Sequence, residues 1–255
     1  MKIFTLLMFF GGLALSHAAD LSVALNGGVT LETFEADELL TFPRRWSAFR
    51  DAQVAQRIYR VTEEDGNRFL HAYAEKQGIQ IGLSHVFQPR ALPFLRWRWR
   101  ATLLPPGGDE RTEKSNDSAA GVYVLYDSRF LPRAMKYVWS TTLPVGTRAT
   151  NPSYWRAKTV VLRTGPTDLG IWQQETVNLY QDYKDLFEAE PGEVLGIALI
   201  TSADSTSSVA AADYDDFVLF PQSPLPSQDI LSSSCGRVWR TQAVLPCLFH
   251  WSTPR

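Results

Sequence analysis

Short stretches in which apolar and polar residues alternate dominate this chain, and they predict strands. Successive side chains on a strand point to opposite faces, so a half-buried strand reads with a period of two. In the first half of the chain such segments cover 29–34, 56–61, 68–74, 79–84 and 95–102. In the second half they cover 119–126, 134–140, 159–163, 195–201 and 213–220. Turn signals divide them. Glu64-Asp65-Gly66-Asn67 is a hairpin turn. Pro105-Pro106-Gly107-Gly108 breaks the chain because proline fixes φ and glycine permits positive φ. One segment has another period: Val177, Tyr180, Tyr183 and Phe187 recur near every 3.6 residues. That spacing predicts a helix from about Gln174 to Phe187, stopped by Pro191-Gly192. Many short strands with one peripheral helix indicate an all-β fold, a jelly-roll-like antiparallel β-sandwich.

The segment at 95–102 carries the most information. Leu95, Trp97 and Trp99 must face one way and Arg96, Arg98 and Arg100 the other. A row of arginines lines a ligand site or pairs with acids. The charged loop that follows holds Asp109, Glu110, Arg111 and Asp117 and fits either role. As a polar site, the guanidinium groups present paired donors to carboxylates or sugar hydroxyls. As an ion-pair network, arginine stems pack over aromatic rings. Tyr123, Tyr126, Tyr137, Trp139, Trp155 and Trp172 form an aromatic set. Rings beside polar groups stack on pyranose faces, and they also fill the space between two sheets. On the binding reading, the ligand candidates are Arg96, Arg98, Arg100, Asp109, Glu110, Arg111, Asp117, Tyr137 and Trp139.

The ends set the compartment. Met1-Lys2, an apolar run from Ile3 to Leu15 and small residues at Ser16-His17-Ala18 read as a signal peptide over 1–19. The run is shorter than the ~20 residues a spanning helix needs. A periplasmic or secreted protein without a membrane span is therefore expected. Residues 20–220 form one sandwich domain, long enough for a single core. Residues 221–255 open on PQSPLPSQ and read as a tail of low order. Its Cys235 and Cys247 can close a small loop in an oxidising compartment without serving the core.

Charge and motifs exclude several classes. Losing Lys2 and no acid takes the formal charge from −2 to about −3, and such a near-neutral surface speaks against nucleic acid. No metal or other cofactor is expected. The cysteines have no histidine at ligand spacing, and Asp204, Asp213, Asp215 and Asp216 lack the spacing of an EF-hand. GxSxG, HExxH, a phosphate loop and CxxC are all missing. For catalysis, His71 and Tyr73 share a strand face, and such a pair serves proton transfer in β-elimination on uronate sugars. The plainer account is a structural histidine. Glu175 with Asp182, Asp185 or Glu188 lies on or near one helix, which suits a solvated face better than a glycosidase pair.

A set of blocks points to a family. LRWRWRATLLPPGGDERTEKSNDSAAGVYVLYD runs from Leu95 to Asp127, followed by MKYVWS at Met135 to Ser140 and VVLRTG at Val160 to Gly165. Trp172 and Glu175 then precede NLYQDYKDLF, and GIALITSADST and YDDFVLF close the series. In order and spacing the chain resembles the bacterial exported family catalogued as domain of unknown function 3047. The resemblance implies export and brings no established activity, since fold alone does not imply function. The reading we carry forward is a noncatalytic binder of a glycan or other envelope ligand. A glycan-active enzyme such as a polysaccharide lyase, and a structural envelope protein, stand as alternatives.

Overall fold

Alternating strands bury their apolar faces only by pairing sheets, and the chain does so with two sheets of seven strands each. The structure, a computed structural model, describes residues 23–24, 27–128 and 130–223. The expected leader over 1–19, the tail beyond 223 and the two cysteines fall outside the described residues. The chain begins β1 (Val23–Ala24), β2 (Gly28–Glu32), β3 (Ser47–Ala48), α1 (Ala52–Ile58), β4 (Tyr59–Glu64), β5 (Asn67–Glu75) and β6 (Ile81–Phe87). The middle holds β7 (Phe94–Leu103), β8 (Ala120–Tyr126), β9 (Arg133–Ser140), β10 (Arg148–Thr150) and β11 (Ala157–Thr164). It closes with β12 (Gln173–Asn178), α2 (Leu179–Phe187), β13 (Val194–Ile200) and β14 (Val209–Phe220).

Strand β14 organises the first sheet. The first half of β14 pairs with β5 and the second half with β2, while β7 pairs along nearly all of it. Beyond these lie β4, β1 and, on the far side of β7, β12. A bulge at Asp216, with φ of 53°, absorbs one residue of β14. Phe217 and Leu219 therefore still point inward after Tyr214. The second sheet has the order β10-β11-β9-β8-β13-β6-β3 and is antiparallel except where β9 and β11 run parallel. The β4–β5 hairpin turns on Asp65 and Gly66, both at positive φ, as its sequence predicts.

The core lies where the aromatic face of β7 meets β9. Trp97 and Trp99 pack edge to face with ring centroids 5.4 Å apart. Trp97 reaches Tyr137 at 5.8 Å and Trp99 reaches Trp139 at 6.2 Å. Tyr137 and Trp139, taken from sequence as ligand candidates, are thus buried between the sheets. Local order departs from the expectations at two points. The helix begins at Leu179, because residues 173–178 pair with the free edge of β7 and Asn178 caps α2 by accepting from Gln181 N. The segment expected as a strand from 56 starts as α1, whose cap Asp51 accepts from Gln53 N and Val54 N. No helix among the described residues is long and apolar enough to cross a membrane.

Candidate functional site

The arginine row lies on the outer face of the first sheet, and its acids come from β14 and the end of β4 rather than from the 109–117 loop. Register explains this: Arg98 stands opposite Asp215 and Arg100 opposite Asp213. Arg98 binds Asp215 Oδ2 at 2.7 Å and Asp216 Oδ2 at 2.7 Å. Arg100 binds Asp213 Oδ2 at 2.6 Å and Glu64 Oε2 at 2.8 Å. Both guanidinium groups lie over the Trp172 ring, at 5.1 and 4.8 Å. Arg96 lies over Phe220 at 4.7 Å. The other oxygen of Asp213 meets His71 Nδ1 at 2.6 Å, and Tyr73 is exposed on the same strand. Burial pushes the Asp215 carboxyl up to about 6, against the hydrogen bond from Asn67 and the charge of Arg98.

The loop residues divide. Asp109 and Arg111 pair with one another at 2.6 Å on the surface, which holds the Asp109 carboxyl below its usual value. Glu110 and Asp117 are fully buried. Asp117 Oδ2 accepts from Thr206 N at 2.7 Å and Thr206 Oγ1 at 2.8 Å, pinning the loop to the segment after β13. Glu110 accepts from Ser118 Oγ at 2.9 Å and Ser140 Oγ at 2.6 Å. Ser118 Oγ in turn accepts from Lys136 Nζ at 3.0 Å. Lys136 is only 1% exposed.

That lysine marks a place sequence reasoning missed. On β8 and β9 the positions facing away from the core are Gly121, Tyr123, Leu125, Ala134, Lys136 and Val138, and every one is buried. Loops fold over this outer face of the second sheet and leave a recess of about 460 Å³. Lys136, Tyr123 and Leu125 belong to its floor, and Asn116, Asn151 and Tyr154 come from the surrounding loops. The ammonium lies 5.7 Å from the centroid of the Tyr123 ring. Gly121 makes room for the stem, since a Cβ there would stand 3.2 Å from Lys136 Cε and 2.8 Å from Ile200 Cγ2. The Oδ1 of Asn116 is buried without a hydrogen-bond partner among the described residues. Such a site offers donors and acceptors beside an aromatic ring, which suits a polar ligand with apolar faces. A signal was available, because AAGVYVLY carries no charge and so belongs to a strand covered on both faces.

The family described as Protein of unknown function (DUF3047) matches residues 45–218, a span that holds the arginine row and the whole recess. The chain belongs to that family. No curated protein matches this DUF3047 chain in sequence. Among solved structures it is similar to TmCBM61 in complex with β-1,4-galactotriose, with 12% identity and a TM-score of 0.37, over 74% of this chain and 94% of that one. It is similar also to CBM27-1 of Caldicellulosiruptor saccharolyticus in complex with mannohexaose, with 10% identity and a TM-score of 0.39, over 78% and 99%. A third is the carbohydrate recognition domain of Emp47p, with 10% identity and a TM-score of 0.39, over 75% and 94%. Among the described residues of the DUF3047 chain, no group of three or more His, Cys, Asp or Glu side chains is placed to hold a metal ion.

Proposed function

We propose that this protein is a noncatalytic binder of a glycan or similar polar envelope ligand, and that the ligand sits in the recess over the second sheet. The observation that carries the proposal is the buried Lys136. Desolvating an ammonium is costly unless it is paired. Here its hydrogen bond goes to a neutral hydroxyl, and no carboxylate among the described residues forms an ion pair with it. Its remaining donors are available to acceptors of a ligand. The Tyr123 and Tyr154 side chains supply apolar surface beside it. A leader-like pattern at residues 1–19 supports an export reading, with the activity in the periplasm or outside the cell.

A glycan-array screen of the protein at low and moderate salt, followed by calorimetry on the best hit, tests the proposal. Binding through hydrogen bonds and ring contact should survive the higher salt. Lys136→Met and Asn116→Ala should each weaken it about tenfold or more, while leaving the melting transition in place. A hit that ignores both substitutions overturns the recess assignment. An unsaturated, ultraviolet-absorbing product appearing in the mixture overturns the noncatalytic reading and favours a lyase.

A further inference from the structure

The segment that walls the recess has a second side. Ser153, Tyr154 and Ala157 face the recess, whereas Trp155, Arg156 and Lys158 line a separate groove of about 410 Å³. Arg133 of β9 and Phe187 and Glu188 at the end of α2 complete it. The parallel register of β9 and β11 sets Ala157 beside Ala134, so Arg156 and Arg133 come side by side one step earlier. The hydrogen bond from Ala134 N to Arg156 O, at 3.0 Å, confirms the alignment. Like charges side by side on neighbouring strands are destabilising.

Little of this charge is neutralised. Arg133 comes no nearer to Asp127 than 4.0 Å and spends its Nη1 on Tyr183 Oη at 2.7 Å. Arg156 and Lys158 form no ion pair with any described residue. Arg156 Nε is buried and lacks a hydrogen-bond partner among the described residues. Lys158 Nζ donates to Thr150 Oγ1 at 2.8 Å. Glu188 is the single acid among the lining residues. Beside these cations the Trp155 ring is 69% exposed, with the Arg156 guanidinium 5.3 Å from its centroid. A large ring left in water next to unneutralised cations is unfavourable for the protein alone and favourable for a ligand that carries both an apolar face and an anion.

We propose that this groove is a second binding site, distinct from the recess, and that it takes an acidic saccharide. One pyranose face stacks on Trp155, and a carboxylate or ester anion on the sugar accepts from Arg156, Lys158 and Arg133. A concave groove with one platform ring and fixed cations suits a single sugar unit better than a flat lipid surface, which requires a projecting apolar patch.

Calorimetry with tetragalacturonate, with its neutral galactose counterpart and with inorganic phosphate tests the assignment. Tetragalacturonate should bind the unaltered protein and Lys136→Met alike, since Lys136 lines the recess and is not among the residues of this groove. Binding should weaken with salt. The neutral oligosaccharide should bind this groove at least tenfold more weakly. Lys158→Gln, at a half-buried side chain, and Trp155→Ala, at an exposed one, should each reduce affinity for tetragalacturonate about tenfold with unchanged melting. No binding of tetragalacturonate, or equal binding by both variants, overturns the proposal. Phosphate binding as tight as the uronate reduces the site to a simple anion site and overturns the sugar assignment. Cosedimentation with phosphatidylglycerol vesicles that both variants abolish points to a membrane instead. Failure of the recess proposal leaves all of these outcomes readable.

Discussion

Arg98→Ala isolates the ion-pair network on the first sheet. Arg98 contacts Asp215, whose side chain is 1% exposed, and Asp216, whose side chain is 40% exposed, so only the first loss is expensive. Removing one partner of a fully buried pair costs about 3 to 5 kcal/mol. The Arg98 side chain is itself 30% exposed, so solvent already screens the pair, and roughly 2 kcal/mol is a fair electrostatic loss. Lost contact with the Trp172 ring adds about 0.5 to 1 kcal/mol. The sum is about 3 kcal/mol near neutral pH. Acidity should shrink it. The Asp215 carboxyl is raised from 3.8 to about 6, so the folded chain takes up this proton before the unfolded chain does. Stability from this group is therefore present in full at acid pH and fades as pH rises through about 6. At about pH 5 the carboxyl is mostly neutral, and losing Arg98 strands no charge, so the cost should fall to roughly 1 kcal/mol. Urea melts of the wild type, Arg98→Ala, Asp215→Asn and the double variant at both pH values measure this. Nonadditivity near neutral pH is expected, because the two side chains touch. A loss under about 0.5 kcal/mol that is equal at both pH values would refute the reasoning and reduce the row to a screened surface pair.

Two further predictions concern Gly121, beside the Lys136 stem, and the core tyrosine whose hydroxyl meets its amide. Gly121→Ala places a methyl against Ile200 and the Lys136 stem, so it should cost about 1 to 3 kcal/mol in chemical melts and weaken whatever ligand the recess holds. Wild-type stability and binding would show that the lysine can move aside. Tyr214→Phe removes a buried hydroxyl that accepts from Gly121 N at 3.2 Å and lies 2.9 Å from Thr201 Oγ1. Burial already holds its proton tightly, so the hydroxyl is neutral at every working pH. The substitution should cost about 1 to 3 kcal/mol independent of pH, read by thermal or urea melts, and a neutral result would mean that water replaces the hydroxyl.

The faces of β7 were legible in the chain, since strict alternation leaves only one way to bury two tryptophans and turn three arginines to the opposite face. The β4–β5 turn was equally plain, because Asp65-Gly66 satisfies two positive φ angles locally. Elements that rest on a partner were less so. Residues 174–178 carry enough helical period to read as the start of α2, and only the open edge of β7 makes them a strand. Local preference is a weak force beside a row of backbone hydrogen bonds.

Chemistry followed the same division. Alternation and turn residues are properties of neighbours along the chain, so the sequence by itself determined most of the strands, the sandwich and the family. It did not determine partners. Arg98 meets Asp215 across 117 residues and Arg100 meets Asp213 across 113, and no local pattern distinguishes these acids from those of the nearby loop. Lys136 reads as a solvent-facing residue of an ordinary strand until the loops at 105–118 and 141–156 close over it. Whether a charge is solvated, paired or walled in depends on which segments come together over the sheet, and tertiary structure alone decided that.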